Sequence, residues 1–173
     1  WDTSANKATY ARAVALSAVS GADDTTPTVA KNVLVSDRDR HVIAFGCDPE
    51  NSIGDQDPLL IRFSHQATVT TWESTSLNTA GSLRLGSGSE IVTALETREQ
   101  MIVFTDVSLH AMQFLGPPFT YGIGLISENI TIVSPLAAKA ANDFVFWMGV
   151  EDFYVYDGRV QKLPCAIKSY IFN

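Results

Sequence analysis

The sequence predicts an all-β fold, specifically a β-propeller of four-stranded antiparallel blades, and three observations support this prediction. Helical periodicity is nearly absent from the 173 residues. Short apolar runs alternate with glycine, proline, asparagine and aspartate, which is the pattern of strands joined by turns. The runs also recur at a spacing close to that of a propeller blade, about 40–45 residues.

Twelve short strands are predicted from these apolar runs. In chain order they cover residues 32–35, 41–45, 59–64, 82–85, 90–96, 101–105, 109–115, 121–126, 137–141, 144–148, 153–156 and 160–163. The alanine-rich stretch at residues 8–19 is the one candidate helix. It lacks a clean apolar stripe, and residues 12–17 are equally compatible with a strand.

Three wholly apolar strands mark an internal repeat. They lie in His41-Val-Ile-Ala-Phe-Gly46, Gln100-Met-Ile-Val-Phe-Thr-Asp106 and Asp143-Phe-Val-Phe-Trp-Met-Gly149. The second and third repeats start 43 residues apart, and the first and second start 59 apart. Neighbouring blades of a propeller cover the inner strands on both faces, which explains apolar residues at every position. We therefore expect these strands to be equivalent and central in their blades, and a charge at Phe146 to unfold the domain.

The repeat divides the chain into segments. Residues 1–19 are expected to end a preceding blade, residues 20–88, 89–129 and 130–165 to form one blade each, and residues 166–173 to begin the next segment. About three blades cannot close a ring, for which four to eight are typical. Either further blades lie in a longer polypeptide, which the start at Trp1 favours, or several chains complete the ring. The alternative fold is a sandwich or jelly roll, which would alternate throughout without a fixed period.

The charge distribution argues against general nucleic-acid binding. The chain carries 12 basic and 19 acidic residues, for a formal net charge of −7. Residues 99–157 hold most of the excess, with seven acidic side chains and one basic one, Lys139. Tight binding of phosphates needs a basic patch. The segment is therefore either an ordinary solvated acidic face or a surface that must not adhere to DNA.

The sequence contains no recognisable catalytic, metal-binding or cofactor-binding motif, so we expect neither enzymatic activity nor a cofactor. The loop at residues 48–57 holds four carboxylates but lacks the EF-hand spacing. Inner strands supply almost no carboxylates for glycosidase chemistry. The histidines and cysteines do not stand at metal-ligand spacings; these residues are His41, His65, His110, Cys47 and Cys165. The two cysteines are expected to be free, buried thiols, and a disulfide between them is the alternative.

Two turns carry specific expectations. Asp157-Gly158 lies between two predicted strands and is typical of a two-residue type I′ hairpin turn, which needs positive φ at both positions. Gly116-Pro117-Pro118 is expected to be rigid because proline restricts φ. It would hold Phe119 and Tyr121 against the next blade or a partner chain.

Several strings resemble a family of structural proteins of tailed phages, the tail nozzle (tail tubular protein B) and packaged-DNA stabilisation proteins of short-tailed phages. The resemblance covers residues 31–173. It rests on Asp37-Arg-Asp-Arg-His-Val-Ile-Ala-Phe-Gly46, Asp57-Pro-Leu-Leu-Ile-Arg-Phe-Ser64, Asn78-Thr-Ala-Gly-Ser-Leu-Arg84, Thr105-Asp, Met112-Gln-Phe-Leu-Gly-Pro-Pro-Phe119, Phe146-Trp-Met-Gly149 and Tyr154-Val-Tyr-Asp-Gly-Arg159.

The resemblance implies a structural role in the virion. Members of this family are longer propeller proteins arranged in a ring around a channel, made in the host cytoplasm and located in the phage tail. They retain and later conduct the genome, contact adaptor or portal-side tail proteins, and offer attachment surfaces to fibres or spikes. DNA passes through without specific binding. No membrane insertion, cofactor or catalytic residue is implied.

An acidic lining would keep DNA moving, because each basic contact to phosphate adds friction. The residues expected to face a channel or an interface are Glu99, Asp106, Asp143, Glu151, Asp152, Phe119 and Tyr121. The alternative function is a host-surface-binding or polysaccharide-cleaving β-propeller. Carboxylates that converge in one deep pocket would favour that alternative, whereas a band of them around a wide bore would favour the channel.

Overall fold

The computed structural model describes residues 13–172 and is all-β, as the sequence predicts. Residues 1–12 and 173, which include most of the segment expected to end a preceding blade, lie outside the described part. The strands are β1 (Ala30–Ser36), β2 (His41–Cys47), β3 (Leu60–Phe63), β4 (Gly81–Arg84), β5 (Ile91–Glu96), β6 (Met101–Thr105), β7 (Ser108–Gly116), β8 (Thr120–Glu128), β9 (Ala138–Ala141), β10 (Phe144–Met148), β11 (Phe153–Tyr156) and β12 (Val160–Leu163).

The twelve predicted strands are confirmed, each within a few residues at its ends. Helical structure in the described part is limited to a 3₁₀ turn at Leu16–Ala18 and one short α-helix, α1 (Lys168–Ile171). The candidate helix at residues 8–19 is therefore reduced to that turn where the structure describes it. Neither element of residues 13–172 has the length and apolar character that a membrane-crossing helix requires.

The strands form three four-stranded antiparallel sheets in sequence order. The first sheet contains β1 to β4, the second β5 to β8 and the third β9 to β12. The three apolar strands β2, β6 and β10 each take the second position, so their predicted equivalence is confirmed. Their register aligns three phenylalanines: Phe45 pairs with Asn32 of β1, Phe104 with Thr93 of β5, and Phe146 with Lys139 of β9.

The sheets are stacked face to face, and the second lies between the other two. One face of β6, with Met101 and Val103, packs on Ile43 and Phe45 of the first sheet. The opposite face, with Ile102 and Phe104, packs on the third sheet, whose contribution includes Val145 and Trp147. The first strands also follow one another in space, because β1 lies against β5 and β5 against β9.

The outer face of the first sheet is partly covered by its own loops. Trp72 packs on Ala44 and Leu60, and Leu16 borders the same cluster. The buried guanidinium of Arg62 donates to the carbonyl oxygens of Asp48 and Trp72 and lies 5.9 Å from the centre of the Trp72 ring. The loop at residues 64–80 therefore closes much of this face over β2 and β3, but leaves β1 uncovered.

The third sheet is buried on only one face. Val145 and Trp147 are buried against the second sheet, whereas Phe144 and Phe146 on the other face are 47% and 41% exposed. The expectation that β10 is covered on both faces is wrong for this chain, since no further sheet among residues 13–172 packs on that side. A charge at Phe146 is consequently no longer expected to unfold the domain.

The loop at Gly158 differs from the predicted two-residue turn. Tyr156 pairs with Val160, so three residues connect β11 and β12. Among these three described residues, Gly158 alone has positive φ, at +103°. The type I′ assignment is wrong, because the first loop residue does not adopt the left-handed conformation that this turn needs. The requirement for glycine at position 158 still holds.

Replacing Gly158 with alanine tests this backbone requirement. A Cβ at Gly158 meets no atom within 4 Å, so the cost is the left-handed backbone alone, about 1–2 kcal/mol of unfolding free energy. Gly86→Ala is the matched control, because Gly86 also faces open space and its φ is not in the left-handed region. Urea denaturation should show a loss for Gly158→Ala only; equal losses would contradict the analysis.

Two neighbouring residues of β10 test the one-sided burial. Val145→Asp places an unpaired carboxylate between two sheets and should cost about 3–5 kcal/mol, enough to unfold a marginal domain. Phe146→Asp places the same group on the exposed face and should leave the protein folded. Circular dichroism and thermal unfolding measure both. Unfolding of Phe146→Asp alone, or equal effects, would contradict the assigned orientation of β10.

Candidate assembly surface

The exposed face of the third sheet is an apolar surface with one basic residue. The antiparallel register places Lys139, Phe144, Phe146, Met148 and Val155 on this side. The rings of Phe144 and Phe146 are stacked, with centroids 6.3 Å apart and planes 19° from parallel. Soluble monomers rarely expose adjacent aromatic side chains in a contiguous patch, so this face is a candidate interface.

A cavity of about 490 Å³ extends this face toward the end of the sheet where β10 turns into β11. Phe146, Met148 and Phe153 contribute to its wall, together with Leu163 and the chain around Cys165. The helix α1 lies near its border. The ring of Phe172, directly after α1, packs edge-on against that of Phe153, with the ring centroids 5.3 Å apart. The described C-terminal segment therefore covers the edge of the face and leaves the stacked phenylalanines free.

The first sheet carries a second uncovered strip on its outer side. Val33 and Val35 of β1 are 51% and 60% exposed. A groove of about 270 Å³ lies beside Val33; its wall also includes Val42, Ala44, Trp72 and part of the 3₁₀ turn at Leu16–Ala18. The stack of sheets thus ends on both sides in an apolar surface.

The seven residues expected at a channel or interface do not form one site. Hairpins that join first to second strands define one end of the stack, the Asp37 end. The turns that join second to third strands define the other, the Asp106 end. Glu99 and Asp143 lie at the Asp37 end, whereas Asp106, Glu151 and Asp152 lie at the Asp106 end. Both Glu99 and Asp143 are exposed.

Glu99, Asp143 and Asp157 line one polar depression of about 330 Å³ at the Asp37 end. Gln100 contributes to its wall and donates a hydrogen bond of 3.0 Å to the hydroxyl of Tyr156. Sequence reasoning placed Glu99 and Asp143 in an acidic region but did not bring Asp157 beside them, because this needs the spatial order of the hairpins. Among residues 13–172 no group of acidic, histidine and cysteine side chains has metal-binding geometry.

Two of the expected acidic residues organise turns of the fold. Asp106 accepts hydrogen bonds from the backbone N–H and the hydroxyl of Ser89. Burial raises the pKa of Asp106, but these hydrogen bonds outweigh it and leave the pKa below its usual value. Asp152 pairs with Lys162 at 2.7 Å and with Lys168, and the hydrogen bonds from both lysines lower its pKa. Neither carboxylate is free to line a channel on its own.

The two aromatic residues expected at an interface have different positions. Phe119 is 74% exposed at the tip of the β7–β8 hairpin, after the cis peptide bond between Pro117 and Pro118. Tyr121 is 2% exposed, so its assignment to a channel or interface surface is wrong. Its ring packs edge-on against Phe63 and lies beside His41 between the first two sheets, and burial raises its pKa.

The remaining candidate residues also have structural partners. The carboxylate of Asp48 accepts hydrogen bonds from Thr28 and from the backbone N–H of Gly54, which closes the acidic loop on itself. Cys47 and Cys165 are free thiols; Cys47 is buried, as expected, whereas Cys165 is only half-buried. Burial raises the pKa of the Cys47 thiol to about 12, which makes it a poor nucleophile.

Two histidines are buried between the first and second sheets. The Nδ1 of His41 lies 2.7 Å from the carbonyl oxygen of Ser64, while its Nε2 and the Nδ1 of His110 have no hydrogen-bond partner. Burial lowers the pKa of both side chains, and at His41 the hydrogen bond to the Ser64 carbonyl and the charge of Asp39 partly oppose this. Both histidines are therefore favoured as neutral rings in the folded state.

Comparison with protein-family models finds no match to this sequence, and comparison with curated proteins finds none either.

His110→Leu tests the cost of burying a neutral histidine. Below pH of about 6.5 the unfolded chain binds protons that the folded histidines exclude, so the free energy of unfolding falls as the pH drops from 7 to 5. The variant should lose less stability over this interval than the parent protein. Met112→Leu, on the same face of β7, should keep the parental loss. Urea titrations at both pH values measure this, and an unchanged pH dependence in His110→Leu would contradict the assignment.

Proposed function

We propose that the three sheets are consecutive blades of a β-propeller and that the protein is a structural component of a phage tail. The observation that carries the proposal is the repeated stacking. Each sheet packs on the next through its second strand, and the first strands β1, β5 and β9 follow one another in space. A radial array of blades places first strands beside one another in this way.

The first strands of neighbouring sheets also run in the same direction. Lys31 at the start of β1 contacts Glu90 just before β5, and Ser36 at the end of β1 contacts Glu96 at the end of β5. Two antiparallel layers of a sandwich would instead bury one face of each sheet and leave the other solvated. Here the second sheet is buried on both faces, which supports the propeller over the sandwich or jelly roll.

The distribution of charge supports a conduit for DNA. Acidic side chains outnumber basic ones at the Asp106 end, where the chain places Asp48, Glu50, Asp55, Asp57, Glu90, Asp106, Glu128, Glu151 and Asp152 against Lys31, Arg84, Lys162 and Lys168. Several of these acids are paired, but the excess remains negative. A surface of this sign repels phosphates and does not hold DNA in place. In this role the protein forms part of a nozzle that retains and later conducts the genome.

The polar depression at the Asp37 end is the observation that favours the alternative function. Three carboxylates and the hydroxyl of Tyr156 around a cavity of about 330 Å³ are groups that also bind sugars. A host-surface-binding or polysaccharide-cleaving propeller would use such a site. The channel is preferred because Asp106, Glu151 and Asp152 lie at the opposite end of the stack, so the expected acidic residues do not converge in one pocket.

Electron microscopy of intact particles tests the proposed role. With a density label on this chain, the proposal predicts a ring of label on the tail axis, and purified protein should bind duplex DNA weakly without sequence preference. Label confined to peripheral fibres, together with binding of oligosaccharide that Glu99→Gln abolishes, would replace the channel with the alternative. Nanomolar binding of DNA would contradict the conduit directly.

A further inference from the structure

The contact between the first and second sheets holds two of the three histidines of the chain, one near each of its ends. The ring of His41, at the Asp37 end, packs against Phe63 of the first sheet and against Phe114 and Tyr121 of the second. His41 is 1% exposed, so a charge on its ring would have almost no access to water while the contact is closed.

His110 lies in β7, nearer the Asp106 end of the same contact. Its neighbours along the strand, Leu109 and Ala111, pack toward the third sheet, so the side chain of His110 points toward the first. It is 5% exposed, and its cross-strand partners are Val103 and Leu125. Burial alone lowers its pKa, because no charged group among the described residues offsets a proton on this ring.

A proton on either ring leaves a buried N–H group unpaired. The carbonyl oxygen of Ser64 can only accept, so the Nδ1 of the neutral His41 ring carries the hydrogen and its Nε2 does not. Protonation adds a hydrogen at Nε2, for which the described residues provide no acceptor. The Nδ1 of His110 has no partner among them either. The closed contact therefore disfavours both protonated rings on geometric grounds.

Titratable and charged groups surround the ring of His41 and its neighbour Tyr121 on four elements. They belong to the β1–β2 hairpin, the end of β5, the start of β8 and the loop after β3, and they are Arg38, Asp39, Glu96, Tyr121 and His65. Burial is the largest influence on the pKa of His41 and lowers it, and His65 adds to this effect. The hydrogen bond to Ser64 and the charge of Asp39 oppose it, but Asp39 is already paired with Arg38 at 3.0 Å.

The contact between the second and third sheets has a different composition. Among the described residues its buried cluster consists of aliphatic and aromatic side chains and contains no histidine. Its buried polar atom without a partner is the Nε1 of Trp147, and an indole does not take up a proton. The carboxylates at its border are exposed, and they are Glu99, Asp143 and Asp157. Lowering the pH from 7 to 5 therefore adds no buried charge to this contact.

We propose that the contact between the first and second sheets is an acid-sensitive switch, whereas the contact between the second and third sheets is insensitive to acid. Opening gives His41 and His110 access to water, so they bind protons and the open form gains stability as the pH falls below about 6.5. The open form keeps the second and third sheets stacked and exposes the face of β6 that carries Met101 and Val103. This inference goes beyond the proposed role in a tail and does not depend on it.

Native-state hydrogen exchange at pH 7, 6 and 5 measures the opening constants of both outer sheets in the unmodified chain. Each histidine that takes up a proton on opening raises the opening constant about tenfold per pH unit, so the β2 amides of Ile43 and Phe45 should show a rise of about 10- to 100-fold per unit. The β10 amides of Val145 and Trp147 should keep a nearly constant opening constant, because the third sheet can separate without exposing either histidine. An equal rise in both sheets, or no rise in β2, would overturn the proposal.

A substitution then assigns the effect to the histidines. His110→Leu should remove about one factor of ten per pH unit from the rise in β2, because opening then takes up one proton fewer. Met112→Leu is the matched control, since Met112 lies on the same face of β7 and does not titrate, and it should keep the parental rise. A rise in His110→Leu as steep as that of the parent protein would overturn the proposal.

Discussion

The fold depends on the need to cover both faces of β6. Met101 and Val103 point to one side and Ile102 and Phe104 to the other, so a single layer of partner structure cannot remove all of them from water. Burial of apolar surface is the dominant favourable contribution to folding, at about 25 cal/mol per Å². The first and third sheets are therefore each held in place by the second. Their own outer faces are not subject to the same requirement within this chain.

This constraint explains where the polar residues of the interior lie. His41 and Tyr121 sit together at the Asp37 end of the first contact between sheets, beside the ion pair of Arg38 with Asp39. Ser36 donates a hydrogen bond of 2.7 Å to Glu96 across the same contact. A hydrogen bond between sheets favours one register, because a shift would leave Ser36 and Glu96 unpaired. The apolar residues supply the buried area, and this hydrogen bond contributes to the alignment.

The strands and their order could be predicted from the sequence, because each apolar run is short and bounded by turn residues. Exposure of Phe146 could not, since burial of an apolar face depends on what packs against it. The loop at Gly158 shows a similar limit: its residues indicated a hairpin, but the pairing of Tyr156 with Val160 sets its length. The acidic residues were predicted as a group, yet hydrogen bonds from Ser89 assign Asp106 to a turn. Sequence composition gives the sign of the net charge of a surface, but it does not say which charged side chains have partners.

Native-state hydrogen exchange of the β6 amides tests most directly the claim that the second sheet is the centre of the stack. If both neighbouring sheets depend on it, β6 should open only when the whole protein unfolds. The exchange free energies of Ile102, Val103 and Phe104 should then equal the free energy of global unfolding, and those of β1 and β9 should be lower. Exchange of the β6 amides through a local opening of lower energy than that of β1 or β9 would contradict the account.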